Sequence, residues 1–209
     1  MVWRSSTTYF SKNAAFSILE VLVTAAIIGI ITAVIVLNYS SFNNAVLLKS
    51  QAYEIALDIR EAQQFAVSVR GAGGEFREDY GLYFSTSEPG QYRLFRDQGT
   101  IEKRDDTGRL ISLAYYDDGE EIGPPYFIDS RFAISSICVN DCAHVVDDLS
   151  ISFRRPDFDA HFASVSADGY GIADIIDAEI VLTNVVGTNI TKSITINAVG
   201  KVSVTETTQ

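Results

Sequence analysis

The chain changes its pattern of apolar and polar positions three times. Residues 16–37 are almost wholly apolar, Glu20 is their only charge, and no charged residue occurs from Val21 through Leu48. The 20 residues 18–37 would form a helix about 30 Å long, which matches the hydrocarbon thickness of a bilayer. Asn38, Ser40, Ser41, Asn43 and Asn44 then weaken the helical tendency without breaking it. Beyond them Leu48, Ala52, Ile55, Ile59, Ala62, Ala66 and Val69 recur at alternating spacings of four and three, with Lys49, Glu54, Asp58, Arg60 and Glu61 off that line. This is the apolar stripe of a helix face laid on a core. A coiled-coil seam is the alternative, but it needs three to four apolar heptads, and this run is shorter. The pattern predicts a helix over 17–70, ended by Gly71-Ala-Gly73-Gly74.

From Glu75 onward the period falls to two. The pattern predicts strands at 80–84, 91–96, 110–116, 132–137, 149–153, 178–184, 192–197 and 201–204, a turn at 85–90, and a hairpin connection at 185–189. The fold class expected is α+β: a long N-terminal helix, its first half membrane-spanning, packed on a C-terminal antiparallel β-sheet domain. The organisation that follows is a leader (1–15), a helix (16–70) and a β-rich domain (71–209) large enough to bury a core.

Charge adds a topology. The 209-residue chain carries −11; Arg4 and Lys12 precede residue 16 and no acid does, so the remainder holds 14 basic against 27 acidic residues, a net −13. That balance argues against nucleic-acid binding, which draws most of its affinity from basic patches. Positive charge before the span, and none just after it, places the leader in the cytoplasm and the domain outside the membrane. Residues 38–42 lack the small-x-small cleavage pattern of a secretory signal, although Ser40 keeps that alternative open.

Glu20 is the costly residue. A carboxylate within a membrane helix costs roughly 2.5–3.5 kcal/mol at the centre, so its presence suggests a partner within the membrane or an assembly. The segment Ala15-Phe16-Ser-Ile-Leu-Glu20-Val-Leu-Val-Thr-Ala-Ala-Ile-Ile-Gly-Ile-Ile resembles the processing and methylation segment of type IV prepilins and type II secretion pseudopilins. The resemblance implies a pilin-like fold, cleavage by a prepilin peptidase between Ala15 and Phe16, and N-methylation of Phe16. It also implies that Glu20 pairs with the N-terminal amine of a neighbouring subunit during assembly. A pair of that kind favours correct register, because breaking it leaves a charge buried. Ala15 stands where the family usually has Gly, and no proline precedes Pro89, so the proline that often kinks the family's helix is missing. Glu61-Ala-Gln-Gln-Phe-Ala-Val-Ser-Val-Arg70-Gly71, Leu149-Ser-Ile-Ser-Phe153 and Ser193-Ile-Thr-Ile-Asn-Ala-Val-Gly200-Lys201-Val202 are similar to H-type pseudopilins and fimbrial-T-type minor pilins. Some of those minor pilins bind DNA through C-terminal basic residues; here Lys201 stands alone and Glu206 follows.

The implied partners are other pilin or pseudopilin subunits, the prepilin peptidase, an inner-membrane assembly platform and membrane lipid. The implied location is the cytoplasmic membrane, single-pass, with the C-terminal domain extracytoplasmic, and then the pilus or pseudopilus. The contrasting expectation is an unprocessed single-pass protein with an extracytoplasmic binding domain.

Candidate chemistry is sparse. Cys138 and Cys142 read most simply as a disulfide closing a small loop, which an extracytoplasmic location permits; free thiols and a redox pair are the alternatives. With His144 and His161 they are too few for a zinc site of recognisable spacing. Asp117-Asp118-Gly-Glu120-Glu121, Asp147-Asp148 and the acids Asp168, Asp174 and Asp177 raise calcium, yet none has the EF-hand spacing, and solvated acidic loops are the simpler reading. There is no G-x-S-x-G, H-E-x-x-H or P-loop. Neither an enzyme nor a cofactor is expected.

Overall fold

A computed structural model of the chain describes residues 17–68, 79–97, 103–104, 110–112, 115–154, 158–164, 174–185 and 190–206, without the side chains of 37–41, 103–104, 110–112 and 206. Among these residues there is one helix, α1 (Ile18–Val67). The strands are β1 (Asp79–Ser85), β2 (Gln91–Asp97), β3 (Lys103–Arg104), β4 (Leu110–Ser112), β5 (Tyr126–Phe127), β6 (Phe132–Val139), β7 (His144–Val146), β8 (Asp148–Phe153), β9 (Ala160–Ala163), β10 (Asp177–Asn184), β11 (Thr191–Asn197) and β12 (Val202–Glu206). The chain is therefore α+β. It divides into two compact units, Met1–Phe42 and Asn43–Gln209, with the boundary inside α1.

In the first unit, Ile18–Val36 has a mean hydropathy of 2.6 and is long and apolar enough to cross a membrane. Every side chain from 17 to 36 is exposed. Its hydroxyls are satisfied within the helix: Thr24 Oγ1 donates to the Val21 carbonyl at 3.0 Å and Thr32 Oγ1 to the Ile28 carbonyl at 2.8 Å. Such back-bonding lets threonine sit in an apolar medium without an orphaned donor.

In the second unit the strands form two five-stranded sheets and a short ribbon, in the orders β5-β2-β1-β8-β9, β12-β11-β10-β6-β7 and β3-β4. Every pairing is antiparallel. In the first sheet Leu82 lies between Leu94 and Ile151; in the second, Ile180 lies between Ile137 and Ile194. A bulge at Val181/Leu182 leaves Ser135 as the extra residue of β6, and its hydroxyl donates to the Val181 carbonyl at 3.1 Å.

One hydrophobic cluster joins both sheets to α1. Leu48, Ala52, Ile55, Ile59, Ala62 and Ala66 meet Leu82, Phe84, Leu149 and Ile151 of the first sheet and Ile137, Ile180 and Ile194 of the second. The periodic stripe is thus the buried face of the helix, up to Ala66; Val69 lies outside the described residues. Strand β8 is buried on both faces: Leu149, Ile151 and Phe153 in this core, Ser150 and Ser152 on the reverse. Tyr116 covers the reverse face, its N–H donating to Ser150 Oγ at 3.0 Å and its ring stacked 4.5 Å from Tyr83.

Several expected boundaries shift. The helix ends at Val67, before Arg70; Ser68 Oγ takes the Phe65 carbonyl at 3.2 Å, a local bond that competes with helix continuation. The strand expected over 110–116 is β4, Leu110–Ser112, and Tyr115 and Tyr116 leave it. Tyr115 instead donates its hydroxyl to Asp148 at 2.6 Å. Strands β5, β7 and β9 have two to four residues, too few for an alternating pattern to announce them. The glycine run 71–74 and positions 186–189 of the expected hairpin lie outside the described residues.

Candidate functional site

Four features carry chemistry or recognition. The first is the start of α1. Ser17 Oγ accepts the Leu19 N–H at 3.3 Å, and the Ser17 carbonyl accepts the N–H groups of Glu20 and Val21 at 3.0 and 3.2 Å. Ser17 therefore caps the helix and Glu20 falls in its first turn, where the exposed N–H groups favour an acid. Among the described residues the Glu20 carboxylate meets neither a hydrogen-bond donor nor a cation. Ala15 and Phe16, the expected processing and methylation positions, lie outside the described residues.

The second is the part of α1 in the domain. At about 100° per residue, polar side chains flank the buried stripe on both sides and fasten the helix to the sheets. On one flank Gln51 Oε1 accepts the Asp129 N–H at 3.2 Å, and Asp58 accepts the hydroxyl of Tyr92 on β2. On the other, Gln63 Nε2 donates to the Gly200 carbonyl at 2.7 Å and Arg60 Nη2 to the Val202 carbonyl at 3.5 Å. Gly200 has a φ of +77°, and a Cβ there would lie 2.1 Å from the Phe158 carbonyl oxygen; the turn between β11 and β12 thus requires glycine. Asp58 and Arg60 lie off the sequence stripe yet engage the domain, which apolar periodicity does not reveal.

The opposite face of the same helix carries a second, exposed apolar line. Val46, Tyr53 and Leu57 are 49%, 48% and 61% exposed. Tyr53, Ala56, Leu57 and Arg60 border a shallow cleft of about 130 Å³ whose other wall is Val202, Ser203 and Val204 of β12. Strand β12 is the edge of its sheet. Exposed apolar side chains beside the terminal strand of a sheet are the usual character of an interaction site.

The third is the Cys138–Cys142 pair, joined in a disulfide on the β6–β7 turn. Glu179 on β10 faces Cys138 across the register, and the Cys142 sulfur lies 3.4 Å from Glu179 Oε2. The two sulfurs and a Glu179 carboxylate oxygen all lie within 4.8 Å of one another. Only the two cysteines are visible as a pair in the sequence; Glu179 enters through strand pairing.

The fourth is the set of acidic patches, which are largely satisfied by their own surroundings. Glu120 accepts the Asp117 N–H at 3.1 Å, while Glu121 accepts the Gly119 N–H at 2.8 Å and the Tyr116 hydroxyl at 3.3 Å. Its own backbone N–H first, and then that of Gly119, hold the Glu121 carboxyl below its ordinary range. Burial, with Glu121 beside it, pushes the Tyr116 phenol up to about 12. Asp148 accepts from Tyr115 and Ser164, and Asp177 accepts the Asp141 N–H at 2.9 Å. Asp168 lies outside the described residues. His144 is exposed on β7 and His161 on β9, and neither joins a nucleophile or acid of the described set.

No protein-family model, no curated protein and no solved structure matches this chain.

Proposed function

We propose that this chain is a structural subunit that assembles through its N-terminal helix, a minor pilin or pseudopilin of a type IV pilus or type II secretion system. The supporting observation is Glu20: a carboxylate that meets no partner among the described residues, on a helical segment whose side chains are exposed from 17 to 36. Such a segment needs an apolar environment, and a charge within it needs a counter-charge there. In this reading prepilin peptidase cuts between Ala15 and Phe16, Phe16 is methylated, and the new amine of one subunit meets Glu20 of the next. The β-rich domain then stands outside the cytoplasmic membrane and presents the exposed line Val46, Tyr53, Leu57 to neighbours.

The competing reading is an unprocessed single-pass anchor, and one observation favours it. Glu20 lies in the first turn of a helix capped by Ser17, so local electrostatics already favour an acid there, typically by 0.3–1 kcal/mol at an exposed end. The experiment is the intact mass of the chain co-expressed with a prepilin peptidase, alongside Glu20→Ala. A methylated Phe16 terminus, with Glu20→Ala inserted in the membrane but failing to enter fibres, supports assembly. Retention of Met1 supports the anchor.

A further inference from the structure

We propose that Cys138, Cys142 and Glu179 form a redox-gated site for a borderline divalent cation, zinc in the first place, which opens when the Cys138–Cys142 bond is reduced. Three observations carry this. The ligand atoms already converge: two sulfurs and a carboxylate oxygen lie within 4.8 Å of one another. Thiolates and carboxylates are zinc's own ligands, and four-coordinate zinc would leave its last position to water. Glu179 is fixed in this place by the register of β10, opposite Cys138 on β6 and Thr195 on β11.

The third observation is that the loop is held in shape by bonds other than the disulfide. Asn140, Asp141 and Cys142 have φ values of 57°, 52° and 58°. Three consecutive non-glycine residues in the left-handed region are costly, roughly 1–2 kcal/mol each. Hydrogen bonds to the start of β10 offset this. The Asn140 N–H donates to the Asp177 carbonyl at 3.0 Å, the Asp141 N–H to Asp177 Oδ1 at 2.9 Å, and the Ile176 N–H to Asn140 Oδ1 at 2.9 Å. The Ala143 N–H closes the turn on the Asn140 carbonyl at 3.0 Å. None of these bonds involves sulfur, so reduction leaves the loop folded and the two thiols side by side. Two sulfurs on one zinc lie about 3.8 Å apart, from bonds of about 2.3 Å at the tetrahedral angle. Cys138 is buried and Cys142 exposed, so the Cys142 side chain can swing out to that spacing while the Cys138 sulfur stays in place.

The chemistry balances. A dithiol reductant supplies two electrons and two protons; the Sγ–Sγ bond breaks, two thiols form and the reductant closes to its own disulfide. The cation then displaces both thiol protons to solvent, and the sulfur electron pairs become metal bonds. A low-molecular-weight disulfide reverses this: it accepts the two electrons and two protons as it becomes two thiols, the Sγ–Sγ bond re-forms and the metal ion is released. Metal and disulfide therefore exclude each other.

The test is cobalt titration of the full chain in detergent micelles, oxidised and after anaerobic dithiol reduction with the reductant removed. The reduced chain is expected to show thiolate-to-cobalt charge-transfer absorption that saturates at a single cobalt per chain; the oxidised chain should show none. Glu179→Gln should keep both titratable thiols and an unchanged circular dichroism spectrum but bind cobalt about tenfold more weakly or worse, at least the loss typical of an outer-shell partner. Cys142→Ser, at an exposed position, should lose the charge-transfer band. Absence of that band in the reduced wild type overturns the proposal. So does wild-type affinity in either variant, or equal binding by the oxidised chain.

Discussion

Tyr92 on β2 donates its hydroxyl to the Asp58 carboxylate on α1, and this bond ties the helix to the first sheet. Tyr92 is 2% exposed and stacks between Phe84 and Tyr126, each ring 5.3 Å away. Burial raises the Tyr92 phenol far above its ordinary value and Asp58 raises it further, so the hydroxyl remains protonated and can only donate in this pair. Removing it leaves a half-buried carboxylate without its donor. Tyr92→Phe is expected to lower unfolding stability by about 1–3 kcal/mol, read from the denaturant midpoint at unchanged slope. Asp58→Ala should cost a similar amount, and the double variant less than both together, since each single change already breaks the bond.

Two carboxylates give opposite pH dependences. Burial raises Asp58 above its ordinary 3.8, and the Tyr92 bond partly offsets that. The folded state thus binds this proton more tightly than the unfolded chain. Its contribution is most favourable below 3.8 and declines as pH rises through the raised folded value. Tyr92→Phe removes the lowering influence, so the decline should deepen and extend to higher pH. Asp129 goes the other way: the Arg131 side chain and backbone N–H hold it at about 2, against an ordinary 3.8. Its contribution is complete above 3.8 and lost as pH falls toward 2. Asp129 and Arg131 are both solvent-exposed, so the stabilisation from their pair is small, and the cleaner readout is the carboxyl NMR titration. Arg131→Gln should raise the Asp129 midpoint from about 2 toward 3.8 but leave it below, because the backbone N–H of residue 131 still donates to the carboxylate.

The ion pair at the start of β1 is of a different kind. Asp79 is 4% exposed at its side chain, and Arg154, just after β8, reaches it through Nε at 2.9 and 2.7 Å and through Nη2 at 2.5 Å. Breaking a buried pair typically costs 3–5 kcal/mol. Here the arginine is half exposed, so water can partly replace it, and Arg154→Gln should cost about 2 kcal/mol. Arg154→Lys, which lacks the bidentate fork, should recover only part of that. Urea unfolding of the three chains checks both values.

Gly81 lies under the ring of Phe95. A Cβ there would come within 2.3 Å of the Ile151 carbonyl oxygen and 2.7 Å of the Phe95 ring, and the carbonyl belongs to the β1–β8 ladder. Neither neighbour can yield cheaply. Gly81→Ala should therefore destabilise by about 1–3 kcal/mol, the usual effect of overpacking. It should also speed amide exchange along β1 and β8 more than along β10 and β11.

The residues that were legible in the sequence are those whose role follows from periodicity. The stripe from Leu48 to Ala66 is buried as its spacing requires, and 178–184 and 192–197 pair as β10 and β11. Periodicity is blind to what fastens such elements together. Gln51, Asp58, Arg60 and Gln63 look like solvated helix polars until the sheets supply their partners. The division into two sheets was equally hidden, because β8 returns to β1 and β10 to β6 across long stretches of chain, and alternation along a strand does not name its neighbour. Glu179 beside Cys138 is the same case: 41 positions separate them in the chain, and only the strand register joins them.

Leu57 and Ile59, two residues apart on α1, separate folding from assembly. Ile59 is 0% exposed in the core, whereas Leu57 is 61% exposed beside the cleft against β12. Ile59→Ala removes buried methyl groups and leaves a cavity, so it should cost about 2–5 kcal/mol of stability. Leu57→Ser removes nothing that the folded chain uses and should change stability by no more than about 0.5 kcal/mol. If the exposed line Val46, Tyr53, Leu57 is an assembly surface, Leu57→Ser should nevertheless reduce fibre incorporation, with membrane insertion unchanged. Incorporation of Leu57→Ser at the wild-type level would remove this face from the assembly surface and leave the helical segment around Glu20 to carry it alone.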